Sequence, residues 1–307
     1  MSSIMTNVSA MTALQSLNAT NKQLSTTQSR ISTGFRVSSA EDNAAYWSIA
    51  TTMRSDNGAL STVKDALGLG AATLDVAYTG MNKAIEVAKE IKNKLVAARQ
   101  PGIDREKIQS EIAELQNQLR SVAESSVFSG ENWLSVDSSD AGYNATKTIV
   151  ASFSRTAGGV SIGTIAVNLT ETELIDSNDQ SGILDEEDTT ANGDVTYSIL
   201  TLDISVISDT DDDLEDLEQM IGWVDDGISS MTTAASNLGA VKQRTSMQKE
   251  FISSLMDAIL RGVGTLVDAD MNEESTRLQA LQVQQQLGIQ SLSIANQNSQ
   301  QIMSLFR

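Results

Sequence analysis

Apolar and small residues at the start of the chain recur in steps of four and three: Ala10, Leu14, Leu17, Asn21, Leu24, Gln28 and Ile31. That spacing lays one seam along one side of a helix, and Gly34 predicts its end. The last residues follow the same rule through Leu278, Leu281, Gln285, Gly288, Leu292, Ala295, Ser299, Ile302 and Phe306, interrupted by Gln285, Gly288 and Ser299. Seams so thin predict helices that cannot stand alone, because their few aliphatic side chains bury too little surface to offset the entropy of ordering the segment. Each end calls for a partner. The simplest arrangement pairs the two ends with one another and with neighbouring copies, so that their folding is coupled to assembly.

Stronger helical seams lie between. Met81, Ile85, Ala88 and Leu95 predict a helix ending before Pro101-Gly102, and Ile108, Ile112, Leu115, Leu119 and Val122 predict another with Asp104 as N-cap. Leu214, Leu217, Ile221, Val224, Ile228, Met231, Ala235 and Leu238 run without a missed step. Continued to Leu260, this helix has about 50 residues and a length of about 75 Å, which predicts a rod. Strand signals are confined to the middle. Thr146 to Ser154 and Val160 to Asn168 read as a β-hairpin about Thr156 to Gly159, and Val195 to Val206 reads as a further strand bent where its alternation changes phase. Asp176 to Gly193 reads as an exposed acidic loop. The expected fold is mainly α: an elongated helical bundle or coiled coil of paired N- and C-terminal segments with a small β-hairpin region.

Charge sharpens this division. The 307-residue chain has a formal charge of −19, yet between Thr156 and Val241 it carries 19 of its 40 acids and no lysine or arginine; elsewhere 21 acids face 21 bases. Residues 1–40 hold no acid, and residues 275–307 carry only Arg277 and Arg307. Nearly uncharged ends suit burial against other subunits, where charge is costly to desolvate. No basic stripe exists to neutralise phosphates, so no nucleic-acid partner is expected.

Candidate chemistry is sparse. The chain has no His and no Cys, which excludes a thiolate nucleophile, a Ser-His-Asp triad, a Cys/His zinc site and disulfides. The Asp209 to Asp213 run fails as a calcium loop, with Leu214 where a glycine and Met220 where a glutamate belong. It reads instead as a helix start whose acids complement the dipole. No catalytic, cofactor or metal residues are expected. Trp47, Trp133 and Trp223 are expected to pack internally. The N-terminus lacks a basic region, an apolar run and a cleavage site, so no cleaved signal peptide is expected, and no apolar stretch is long enough for membrane insertion.

Leu24 to Ala45 (LSTTQSRISTGFRVSSAEDNAA), Asn237 to Arg244 (NLGAVKQR), and Asp268 to Asp270 with Ala295 to Arg307 (ANQNSQQIMSLFR) resemble the N-terminal signature, an internal phrase and the C-terminal signature of bacterial flagellins. Departures from the enteric pattern are Tyr46-Trp47, Ser299 in place of a common proline, and Val87 in place of an arginine used by animal flagellin-sensing Toll-like receptors; in these the chain resembles a rhizobial-like, alphaproteobacterial type.

The resemblance implies an inner helical core domain of residues 1–43 with 267–307, a rod domain of residues 44–175 with 208–266 including the hairpin 146–168, and a short acidic exposed insertion at 176–207. It implies a non-enzymatic, secreted subunit that polymerises into the flagellar filament for swimming motility, exported by a type III route. Expected partners are many copies of itself, other flagellins, an export chaperone, the filament cap and hook-junction proteins. Filament-core packing is assigned to Leu14, Leu17, Leu24, Ile31, Leu281, Leu292, Ile302 and Phe306. The rival within the same machinery is a hook–filament junction protein; the rival outside it is an enzyme using Asp and Glu as acid and base.

Overall fold

In a computed structural model of the chain, residues 7–156, 159–192 and 195–305 are described, with the backbone only at 298–300 and 302–305. Five helices carry most of these residues: α1 (Val8–Thr33), α2 (Ala44–Ala98), α3 (Arg105–Ser125), α4 (Asp211–Val267) and α5 (Met271–Leu305). Eight strands, β1 to β8, lie between α3 and α4. The chain divides into two compact units, residues 1–58 with 256–307 and residues 59–255.

In the larger unit, α2 buries Leu60, Val63, Leu67, Leu74, Ala77, Met81, Ala84, Ala88, Ile91 and Leu95, a three-and-four rhythm far longer than the Met81 to Leu95 seam alone suggests. It stops before Pro101, whose ring cannot continue a helix, and Gly102 takes a left-handed turn at φ 80°. Asp104 caps α3 as expected, its carboxylate accepting the Lys107 N–H at 3.3 Å. Helix α4 buries Leu217, Val224, Ile228, Met231, Ala235 and Leu238 of its predicted seam. Asp211, Asp212 and Asp213 occupy its first turn, where negative charge faces the positive helix end.

Strands β4 (Thr146–Thr156) and β5 (Gly159–Asn168) pair antiparallel from Thr146↔Asn168 to Thr156↔Gly159, with a register shift between Val150 and Ser152. The tip of the expected turn, residues 157–158, lies outside the described residues. Ile149, Ala151, Ile165 and Val167 form the hairpin's buried face, and it meets α2 so closely at Gly70 that a β-carbon there would lie 2.5 Å from Ile149 Cγ2. Strands β1 (Val127–Phe128) and β2 (Glu131–Asn132) enclose Ser129 and Gly130, both at positive φ, as a two-residue hairpin turn requires. Strands β3 (Ser135–Val136) and β6 (Ile175–Asp176) pair in parallel.

Two sequence expectations for the middle need correction. Asp176 to Gly193 is exposed only in part: among its described residues Asp179, Glu186, Glu187 and Asp188 are exposed, whereas Asp176, Leu184, Asp185 and Thr190 are buried. Val195 to Val206 is not a bent strand. Only Thr196–Tyr197 pairs, as β8 against β7 (Asp188–Thr189), and the chain then proceeds through turns that bury Ile199, Leu200, Leu202 and Ile204. Side chains of α3 supply the hydrogen bonds that a neighbouring strand would otherwise supply. Gln116 Nε2 donates to the Ile199 and Leu202 carbonyls at 3.1 and 2.9 Å, and Gln109 accepts the Ile204 N–H at 3.0 Å. Tyr197 meets Trp223 of α4 edge-on with ring centroids 6.5 Å apart, and the buried Arg105 donates to the Ile207 carbonyl and pairs with Asp209 at 2.6 Å. Alternation and acidity describe side chains alone, whereas here the backbone's partners decided the conformation.

Candidate functional site

The smaller unit brings the two ends of the chain together. Helix α1 begins with Asn7, whose side-chain oxygen accepts the Ala10 N–H, and ends on Gly34 at φ 76°, whose N–H reaches the Arg30 carbonyl at 2.8 Å. Asp270 caps α5 by accepting the Asn272 N–H at 2.8 Å. The helices pack antiparallel. Asn7 Nδ2 donates to the Ala295 carbonyl at 2.9 Å, Gln285 Nε2 to Asn21 Oδ1 at 2.7 Å, and Arg30 Nη1 pairs with Glu274 Oε1 at 3.0 Å.

Helix α5 uses the seam its spacing predicts: Leu281 is buried, and Leu278, Gln285, Gly288, Leu292 and Ala295 are half-buried between exposed neighbours. Helix α1 follows its predicted seam at only alternate positions. Ala10, Leu17, Leu24 and Ile31 turn inward, but Ala13, Thr20 and the buried Thr27 accompany them in place of Leu14, Asn21 and Gln28. A heptad read as four-three or as three-four shares every second member, and the choice rests on where α5 lies, which α1's own sequence does not encode. Leu14 therefore stands 49% exposed, outside the pairing of α1 with α5. The side chain of Ile302, and Phe306 altogether, lie outside the described residues.

Between these helices and the rest of the unit sits a clamp made from the stretches that carried the resemblance. Phe35 bridges to Asp268, the Arg36 N–H donates to the Val267 carbonyl at 2.7 Å, and the Ala269 N–H donates to the Gly34 carbonyl at 2.9 Å. Val37, Ala50, Val263 and Val267 form a small core with Phe35, Met53, Ile259 and Leu266 around it, and Arg54 lies 4.8 Å over the Phe35 ring. Asp42 fastens the turn into α2, accepting the Ser38 and Ser39 N–H groups at 2.9 and 3.1 Å; those hydrogen bonds hold its carboxyl below the usual range.

Apolar surface remains after the two ends have paired. Val8, Met11 and Leu14 are exposed on α1, and Val283, Leu287, Ile289 and Ile294 on α5, the last four at 54–59%. Val283, Leu287 and Ile294 lie on the side of α5 opposite Leu281, Gln285 and Leu292, so α5 is apolar on two faces and only one is covered. Tyr46, Trp47 and Ile49 are exposed in the first turns of α2, and Trp47 thereby departs from the expected internal packing, whereas Trp133 is buried and Trp223 half-buried. Such apolar surface marks a protein made to meet others.

Residues 4–138 match the family model of the bacterial flagellin N-terminal helical region, and residues 221–306 match that of the C-terminal helical region. The chain belongs to the flagellin family. It is 52% identical to flagellin C of Rhizobium meliloti strain 1021, 42% to flagellin A of the same strain and 44% to a flagellin of Brucella melitensis, each over the full length of both chains. It is thus a structural subunit of the bacterial flagellar filament, an extracellular assembly that flagellins build by self-polymerisation for motility. Members of the family are structural rather than enzymatic. A solved structure described as a flagellar hook-associated protein of Vibrio parahaemolyticus matches with TM-score 0.53 over 74% of this chain and all of its own, at 13% identity. That likeness is one of fold alone, and the family assignment does not favour the hook–filament junction reading. Among the described residues no helix is long and apolar enough to cross a membrane.

Proposed function

We propose that assembly runs through the two faces of α5. Leu17, Leu24 and Ile31 of α1 pair with Leu281 and Leu292 within one subunit, while Leu14, Val283, Leu287 and Ile294 pack against neighbouring copies. The Ile302 side chain and Phe306, outside the described residues, are assigned to the same packing by their sequence spacing alone. The observation that carries this reading is the uncovered apolar face of α5, with Val283, Leu287 and Ile294 each more than half exposed, which a lone helix pair would not hold open to water. Residues 1–43 with 267–307 then form the inner core domain, residues 44–175 with 208–266 the rod domain, and residues 176–207 its insertion.

The route follows from the same weakness of the ends. The subunit passes the type III export apparatus escorted by an export chaperone, and completes its terminal helices at the filament tip beneath the cap, with hook-junction proteins at the base and other flagellins able to share the lattice. It performs no catalysis. Replacing Leu281 and Leu292 with aspartate tests the reading: purified protein should form no filaments while the larger unit keeps its helicity by circular dichroism. Normal filaments from that variant would overturn it.

A further inference from the structure

Three carboxylates are buried where the insertion leaves the hairpin: Glu173, Asp176 and Asp185, with 3%, 1% and 8% of their surface exposed. Their surroundings treat them differently. Asp176 Oδ1 accepts the Ser138 and Asn178 N–H groups, both at 3.0 Å; burial opposes its charge, but these bonds outweigh burial and hold its carboxyl below the usual range. Glu173 accepts the Tyr143 hydroxyl at 3.1 Å and lies within 3.5 Å of the Ser181 hydroxyl, yet burial raises its pKa. Asp185 uses Oδ2 to accept the Asp176 N–H at 2.8 Å, and the backbone N–H groups of Asp185 and Gly182 also favour its charge, while its Oδ1 is buried with no hydrogen bond of ordinary geometry. Gly182 sits against that oxygen so closely that a β-carbon would lie 2.5 Å from it.

Little opposite charge is at hand. Asp185 shares a cleft of about 300 Å³ with Asp176 of β6 and with Arg120 and Glu124 of α3. Glu173 and Asp179 flank β6, Tyr143 comes from the segment between β3 and β4, and α4 turns Gly227 toward the Ile183 backbone. Among the described residues Arg120 makes no ion pair with Asp185. An ionised Asp185 therefore places a buried charge beside Asp176, with burial outweighing the backbone N–H groups that favour it, whereas a proton removes the charge.

We propose that Asp185 is a proton-operated latch: protonated, it closes residues 173–185 against β3 and α3, and ionised, it loosens that corner while the remainder of the insertion stays docked. The remainder stays because its fastenings do not titrate near neutrality: the amides of Gln109 and Gln116, and the apolar contacts of Tyr197 and Ile199 with α4. Burial, with a smaller push from Asp176, raises the Asp185 carboxyl from its ordinary 3.8 to about 6. The closed state thus binds the proton more tightly than the open state. Its closing is strongest below the ordinary value, weakens as the pH rises through about 6, and changes no further above that. Between pH 5 and pH 7.5 the closing constant falls by about tenfold.

Amide hydrogen exchange of the full-length protein, divided by the intrinsic rate at each pH, reads this directly. Peptides covering 173–185 should lose about tenfold of their protection from pH 5 to pH 7.5, and peptides covering 199–204 should not change. Asp185→Asn should flatten the dependence, and Glu173→Gln should leave it in place. Unchanging protection in the unaltered protein, or a dependence that survives Asp185→Asn and vanishes in Glu173→Gln, would overturn the proposal. So would recovery of protection at pH 7.5 on adding calcium chloride, which would make the corner a divalent-cation site. Should Asp185→Asn fail to fold, the carboxyl carbon of Asp185 followed by NMR in the unaltered protein decides: a midpoint near 6 supports the latch, and one near 4 overturns it.

Discussion

Gly288 faces Leu17 so closely that a β-carbon on Gly288 would lie 3.1 Å from Leu17 Cδ1. The absence of a side chain at this seam position is what lets α1 approach α5 there. Gly288→Ala asks Leu17 to give by only a few tenths of an ångström, and alanine gains about 1 kcal/mol of helix propensity, so that variant should still polymerise. Gly288→Leu should push the helices apart and raise the concentration needed for filament growth by at least tenfold, measured by sedimentation of polymer from monomer.

Glu274 is the buried partner of the half-buried Arg30, at 3.0 Å, and also meets Arg277 at 3.3 Å. Glu274→Ala leaves Arg30 without its counter-charge where α5 begins. The expected loss is about 1–3 kcal/mol, seen as a lower temperature of filament dissociation, whereas Lys83→Ala, which breaks an exposed pair with Glu86, should change it within error.

Gln116 ties the insertion to α3 through two carbonyls. Gln116→Leu fills the same space but leaves the Ile199 and Leu202 carbonyls without that donor, so urea unfolding of the monomer should show a loss of about 1–3 kcal/mol. The insertion's peptides should lose exchange protection first.

The ends were more legible in the sequence than the middle, for a physical reason. On α5 the spacing from Leu278 to Ala295 marks the covered face, because polar residues and glycine interrupt that seam without leaving it. On α1 the same rule placed Leu14, Asn21 and Gln28 inward, where Ala13, Thr20 and Thr27 stand; apolar Leu14 and Val8 belong to surface that remains open. The exposed apolar face of α5 has no place in a single stripe per helix, although Val283, Leu287 and Ile294 keep helical spacing of their own. In the insertion, neutral amides of Gln109 and Gln116 and the backbone N–H groups around Asp176 settle a conformation that hydropathy does not describe.

Trp47 is 38% exposed and stands beside exposed Tyr46 and Ile49, while Trp133 is 6% exposed. If this patch meets a neighbouring copy, acrylamide quenching of tryptophan emission should fall on polymerisation, and Trp47→Phe should abolish most of that change. Equal quenching in monomer and filament would place the patch in open solvent.

Assembly as proposed requires both faces of α5 to be covered in the filament. A cryo-electron microscopy map of filaments grown from the purified protein alone tests this most directly. It should show Leu281, Gly288 and Leu292 against the subunit's own α1 and Val283, Leu287 and Ile294 against neighbouring subunits. A filament in which that second face lies open to water would contradict it.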